Sequence, residues 1–207
     1  MKQITFYLDF ISPYAHLAFE QLPQALEGLS WSVEYRPVLF AGLLKHHGQL
    51  GPAEVPGKRE WTYRQVLWLA QRHGVTLQMP SAHPFNPLGL LRLAWACGPN
   101  RHVCEQLFHH VWHGGGDAAD PARLEGLRQA LAPDRDPASD EVKGELRSAT
   151  EQAIETGVFG VPTFAVDGKL FWGLDALPML RGYLEGDAWF RDAWDSAAQR
   201  PAGAVRG

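Results

Sequence analysis

Two cysteines in 207 residues, with no Cys-x-x-Cys, exclude a disulfide-stapled scaffold and a dithiol redox centre. On one continuous helix Cys97 and Cys104 would share a face roughly 10 Å apart, too far to be bridged, so both read as small buried hydrophobes. Basic charge is not in excess either, with 19 Lys and Arg against 23 Asp and Glu for a net charge of -4. No cluster of cations marks a phosphate-binding face, and nucleic acid is not an expected partner. No apolar run approaches the roughly 20 residues that cross a bilayer, since Leu88 to Ala96 is broken by Arg92. Near the start, Asp9 interrupts the apolar stretch after Lys2 and no small-residue cleavage site follows, so the opening reads as a strand. A soluble, cytoplasmic chain with no membrane partner is expected. No internal repeat is evident.

What is present is ordinary globular material: 45% hydrophobic and 20% charged residues, in a length that suits one domain. Ile4, Phe6, Leu8 and Phe10 alternate with Thr5, Tyr7 and Asp9, which predicts a strand. Ser12 and Pro13 then signal a helix start, with Leu17, Leu22 and Leu26 on its apolar face. A second alternating segment, Trp31 to Leu39, needs that crossover to lie parallel to the first, giving a βαβ unit. Gly48 to Gly57 reads as a loop, and Lys58 to His73 as a helix through Trp61, Val66, Leu69 and Ala70. From Pro87 to Thr156 the pattern is helical, with breaks at Gly98-Pro99, at 114–116 and at 133–137. Thr163 to Val166, a turn at Asp167-Gly168 and Leu170 to Trp172 form a hairpin signal, and a closing helix runs from Asp175 through Leu177, Leu180 and Leu184.

The order β-α-β, helical block, β-β-α predicts an α/β chain with a thioredoxin-like fold split by a large all-helical insertion. The thioredoxin-like part is assigned to about 1–40 and 157–190, the insertion to about 41–156, all within one domain, with a frayed tail from about 197 to 207.

Two short passages could carry chemistry. The first strand ends in Asp9-Phe10-Ile11-Ser12-Pro13-Tyr14, which sets the Ser12 hydroxyl at the mouth of the first helix, where free N–H groups and the dipole favour an anion such as a thiolate. The plainer reading is an N-cap worth about 1 kcal/mol. The second is Val158-Phe159-Gly160-Val161-Pro162-Thr163-Phe164. A cis proline there would leave the Val161 backbone open to an extended peptide, although Pro162 also suits an ordinary strand start. His109 and His113, beside His110, have the i, i+4 spacing of metal ligands, but no acidic third ligand accompanies them and no metal is expected. Trp61, Trp68, Trp95 and Trp112 are candidate pocket walls, with core positions as the alternative.

Together, Phe-Tyr-Leu-Asp-Phe-Ile-Ser-Pro-Tyr-Ala at the start and Val-Phe-Gly-Val-Pro-Thr-Phe near the end resemble the 2-hydroxychromene-2-carboxylate isomerase family, which is similar to the kappa class of glutathione transferases; both belong to the DsbA-like branch of thioredoxin folds. Arg36-Pro37-Val38 and Pro84-Phe85-Asn86 also fit, so the resemblance covers nearly the whole chain. It implies glutathione as the cofactor, with Ser12 holding its sulfur as a thiolate in place of the DsbA cysteine. It implies that Val161, beside Pro162, pairs with the cysteinyl part and that Asp175 receives the γ-glutamyl ammonium. Lys58 would face a glutathione carboxylate, and Asn86 would stand near the substrate. The chain departs from the family at Gln49, where Asn is usual, and at Leu174, where a small polar residue is usual.

The activity so implied is a glutathione-dependent isomerisation of 2-hydroxychromene-2-carboxylate or a similar small aromatic-degradation intermediate, by a homodimer. The alternatives are a kappa-like transferase or peroxidase and a non-catalytic binder of small aromatics. A disulfide oxidoreductase is disfavoured because Ser12 and Ala15 occupy both cysteine positions.

Overall fold

The computed structural model describes residues 1–199 and 203. Strand β1 (Lys2–Leu8) buries Ile4, Phe6 and Leu8 on one face and turns Tyr7 to the other, the period of two that the sequence carries. Helix α1 (Pro13–Ala25) crosses over to β2 (Trp31–Pro37), which pairs in parallel with β1 in the register Ile4↔Val33 and Phe6↔Tyr35. Strands β3 (Thr163–Val166) and β4 (Lys169–Trp172) complete a sheet of order β2-β1-β3-β4, with β3 antiparallel to β1 and β4 antiparallel to β3. Their turn has φ +49° at Asp167 and +77° at Gly168, the pair of left-handed residues that a two-residue hairpin demands. This is the predicted β-α-β … β-β-α arrangement of a thioredoxin fold.

Between β2 and β3 lie α2 (Phe40–His46), α3 (Pro56–His73), α4 (Leu88–Cys97), α5 (Arg101–Trp112), α6 (Pro121–Leu131) and α7 (Asp140–Glu155). After β4 come α8 (Leu177–Glu185), α9 (Trp189–Asp192) and α10 (Trp194–Ala198). One core joins Phe6, Leu8, Phe164 and Phe171 of the sheet to Phe19 and Leu22 of α1 and to Leu107, Phe108 and Val111 of α5. The other sheet face packs Tyr7 and Val161 against Val38, Leu43, Ala149 and Ala153. Leu17 of α1 meets Val66 and Ala70 of α3. Helix α1 is therefore held on two sides, which fixes the direction of its N-terminus.

Several expectations need correction. The 48–57 loop is interrupted by a 3-10 turn (Pro52–Glu54), and α3 begins at Pro56 because a proline costs nothing at the first helical position. The closing helix begins at Leu177, since Asp175 lies in a 3-10 turn (Leu174–Ala176). The break at Gly98-Pro99 is where it was expected, with Gly98 ending α4 and Asn100 capping α5, so Cys97 and Cys104 lie on different helices; both are free, as expected. Of the tail expected from about 197, Ala197 and Ala198 lie in α10, and residues 200–202 and 204–207 lie outside the described residues. Among the described residues, no helix is long and apolar enough to cross a membrane.

Candidate active site

The chain leaves β1 through Asp9, Phe10 and Ile11 and enters α1 at Ser12, whose extended backbone (φ -90°, ψ 114°) is that of an N-cap. The Ser12 amide donates to the Asp9 carbonyl at 3.0 Å, and the Ser12 Oγ accepts from the Ala15 amide at 3.2 Å. That bond uses an oxygen lone pair and leaves the hydroxyl proton free; among the described residues it has no acceptor. Ser12 is nearly buried and lines a cavity, so its hydroxyl is available to a molecule bound there. Ala15, at the second cysteine position of an oxidoreductase, is fully buried.

Two hollows meet here. The first, about 260 Å³, is lined by Asp9, Ser12, Phe40, Leu44, His83 and Phe85, among others, and is mainly apolar. The second is an open groove of about 790 Å³ between α1, α3 and the β4–α8 connection, where Gln21, Gln24, Gln65, His73, Asp175 and Arg181 supply polar side chains and Leu174 an apolar one. Tyr14 and Val161 line both. The Val161–Pro162 peptide is cis, and the Val161 amide and carbonyl have no backbone partner among the described residues. Gly173 has φ +102°, and the Asp175 carboxylate fills the space a Cβ would need.

The structure thus gathers Ser12, Val161, Pro162, Leu174 and Asp175 around one junction. It does not bring Gln49, Lys58 or Asn86 into either lining. Gln49 is exposed and its backbone N–H donates to the Leu44 carbonyl. Lys58 is exposed in the first turn of α3. Asn86 is exposed and its Oδ1 accepts from the Leu88 amide at 3.1 Å, although its neighbours Phe85 and Pro87 line the cavity. The tryptophans are placed differently from expectation too. Trp61 and Trp68 face solvent, while Trp112 and Trp95 are structural, donating to the Phe10 and Pro37 carbonyls at 3.0 Å each. None of the four lines the cavity. His109 and His113 stack at 3.9 Å beside His16, and no group of three or more metal-capable side chains is placed to hold an ion among the described residues.

Among the lining residues that the sequence did not point to are Asp9 and His83. Asp9 is completely buried, and its carboxylate accepts from the Ile11 amide at 3.1 Å and the Phe40 amide at 2.9 Å. Burial raises its pKa to about 7 against the pull of the Phe40, Ile11 and Phe10 amides. His83 donates Nε2–H to the Ile11 carbonyl at 2.9 Å, a carbonyl being able only to accept, and Tyr63 Oη lies 2.9 Å from its Nδ1. Burial lowers the His83 pKa, favouring the neutral ring. The only hint in the sequence was Asp9 itself, a charge set in an apolar alternation.

On a thioredoxin fold, the site thus combines a serine at the mouth of α1, a cis Val161–Pro162 peptide whose Val161 lines the same cavity as Ser12, and an apolar cavity that adjoins a polar groove. The DSBA-like thioredoxin domain model matches residues 3–185. The 2-hydroxychromene-2-carboxylate isomerase of Sphingobium xenophagum is 32% identical over 192 residues, covering 88% of this chain and 98% of the relative. The glutathione S-transferase kappa 1 of Rattus norvegicus is 27% identical over 210 residues, covering 91% and 92%. A solved 2-hydroxychromene-2-carboxylate isomerase superposes with a TM-score of 0.79 at 23% identity, covering 92% of this chain and 98% of that one. The chain belongs to the DSBA-like thioredoxin family and, within it, to the 2-hydroxychromene-2-carboxylate isomerase family.

Proposed function

We propose that the protein is a glutathione-dependent isomerase of 2-hydroxychromene-2-carboxylate or a similar small intermediate of aromatic degradation. The observation that carries this reading is the Ser12 hydroxyl, which has no acceptor among the described residues and stands at the N-terminus of α1 in the wall of the cavity that adjoins the groove. Held by Ser12, Val161 and Asp175, glutathione would supply a sulfur nucleophile for reversible addition to a conjugated acceptor.

The residues present suit that cofactor. The Ser12 hydroxyl can donate to a thiolate, and the positive end of α1 favours the same charge. A free thiol has a pKa of roughly 8.5, so these two effects need lower it by only one or two units. The open Val161 backbone suits an extended cysteinyl peptide. Asp175 suits an ammonium at the far end of the groove. Leu174 offers that end only its backbone. Cavity residues such as Phe40, Leu44 and Phe85 exclude water and suit a planar acceptor. The expected homodimer belongs to the same proposal and is tested by sedimentation.

Calorimetric titration with glutathione tests the reading: saturable binding to the wild type, weakened in Asp175→Ala, is expected, and no binding to the wild type refutes it. A second reading, a kappa-like transferase, is favoured by one feature of the cavity. No Lys or Arg lines it, while Asp9 and Glu54 do, so an uncharged electrophile fits more easily than a carboxylate. Mass analysis separates the two, since an isomerase returns glutathione unchanged and a transferase yields a conjugate.

A further inference from the structure

We propose that Asp9 is the positioning residue of this site, its carboxylate holding the Ser12 turn and the first residue of α2 in one fixed relation. The role at Ser12 rests on the thiol reading above; the hold on the turn does not.

Asp9 organises the turn in two ways. Its carbonyl receives the Ser12 amide and one carboxylate oxygen receives the Ile11 amide. The other oxygen reaches across to the Phe40 amide. Helix α2 needs that bond, because its N-cap is Leu39, which offers no side-chain acceptor. Phe40, Ala41 and Leu44 of α2 line the cavity with Ser12. One carboxylate therefore sets the spacing between the hydroxyl and the facing wall.

Neither an amide nor a neutral acid can do the same. Two N–H donors face the two oxygens, and Asn or a protonated Asp would set a donor against one of them. A buried carboxylate with no counter-ion is also a costly way to cap a short helix, which Ser or Asn would do more cheaply. The titratable groups sharing the cavity are Tyr14 from α1, Glu54 from the 3-10 turn, and His83; α2 and the Val161 side contribute none. Because the Asp9 carboxyl titrates at about 7, the turn should tighten as pH rises through neutrality.

Two measurements test this. In the unliganded wild type, the Ile11, Ser12 and Phe40 amide resonances, followed by 1H–15N NMR from pH 5 to 8.5, should shift together with one midpoint and stay still in Asp9→Asn. In turnover, Asp9→Asn should lower kcat/KM at pH 8 about tenfold or more while the glutathione KM changes less than about threefold. The acid limb of log kcat/KM should fall in slope from about two to about one. Amides that do not titrate in the wild type, or a variant with wild-type rate and slope, would overturn the proposal. If the variant does not fold, the wild-type titration decides alone. Co-titrating amides in a protein that binds no glutathione would support the hold of Asp9 on the turn and remove the thiol reading instead.

Discussion

His83 reaches back across 72 residues of sequence to donate its Nε2–H to the carbonyl of Ile11, the residue before Ser12. The Ile11 peptide is thereby gripped at both ends, its N–H by Asp9 and its C=O by His83. His83→Phe keeps the ring volume and removes the donor. It should cost about 1–3 kcal/mol by leaving a carbonyl without its partner. Urea denaturation of variant and wild type at pH 7.5 checks this; an unchanged midpoint would show the bond to be dispensable.

Ser12→Ala removes two things at once, an N-cap and the hydroxyl at the helix mouth in the cavity wall. Stability should fall by about 1 kcal/mol. Turnover should fall more than about tenfold, beyond what so small a loss of stability explains. Steady-state kinetics and denaturation on the same preparation keep the effects apart, and a rate within error of wild type would exclude Ser12 from the chemistry.

His16 is fully buried on α1, and burial, with help from His113 and His109, holds its pKa down at about 4. The unfolded chain takes up this proton near pH 6.5 and the folded chain only near 4, so stability is lost as pH falls through that window. Asp9 acts in the opposite sense, since its raised pKa makes folding less favourable as pH rises from about 4 towards 7. The informative quantity is the difference between wild type and His16→Phe. Relative to the variant, the wild type should lose up to about 3 kcal/mol between pH 6.5 and 4; parallel profiles would contradict this.

Gly173→Ala strains a residue at φ +102° and pushes a Cβ into the space of the Asp175 carboxylate. A penalty of about 1–3 kcal/mol is expected from the backbone alone. Glutathione affinity should weaken as well, because the displaced carboxylate belongs to the groove. Calorimetry that finds full affinity would place the ammonium site elsewhere.

Cys104 is buried, and burial raises the pKa of its thiol far out of the physiological range; Cys97 is half-buried and also raised. Native protein at pH 7 should therefore react with iodoacetamide slowly at Cys97 and at Cys104 only on unfolding. Insulin reduction should be absent. Rapid labelling of Cys104 in the native state would show that α5 opens readily.

Local rules made the frame legible. Asp-Gly marked the hairpin, Ser-Pro marked the start of α1, and alternation marked β1, because turn, cap and pleat are each decided by a few neighbouring residues. The short α2 was not read, since its N-terminus is capped by Asp9 from 31 residues away. Trp61 and Trp68 fit a helical period, but period does not say which stripe of α3 meets α1, and that stripe is Val66 and Ala70. At the site, the sequence points to Ser12, Val161, Pro162, Leu174 and Asp175, which line the cavity or the groove beside it. Asp9 and His83 were missed because their significance arises only when distant segments fold onto one peptide. Gln49, Lys58 and Asn86 were carried by resemblance alone, and the linings do not include them.

Serine at position 12 has a further consequence. A cysteine at that helix mouth can be sulfenylated, capped or trapped in a mixed disulfide, whereas a hydroxyl enters none of these states. The centre is therefore indifferent to oxidants that disable thiol enzymes. Its nucleophile would be replaceable stock drawn from solution, so oxidative stress would slow the protein by draining that supply while leaving residue 12 intact.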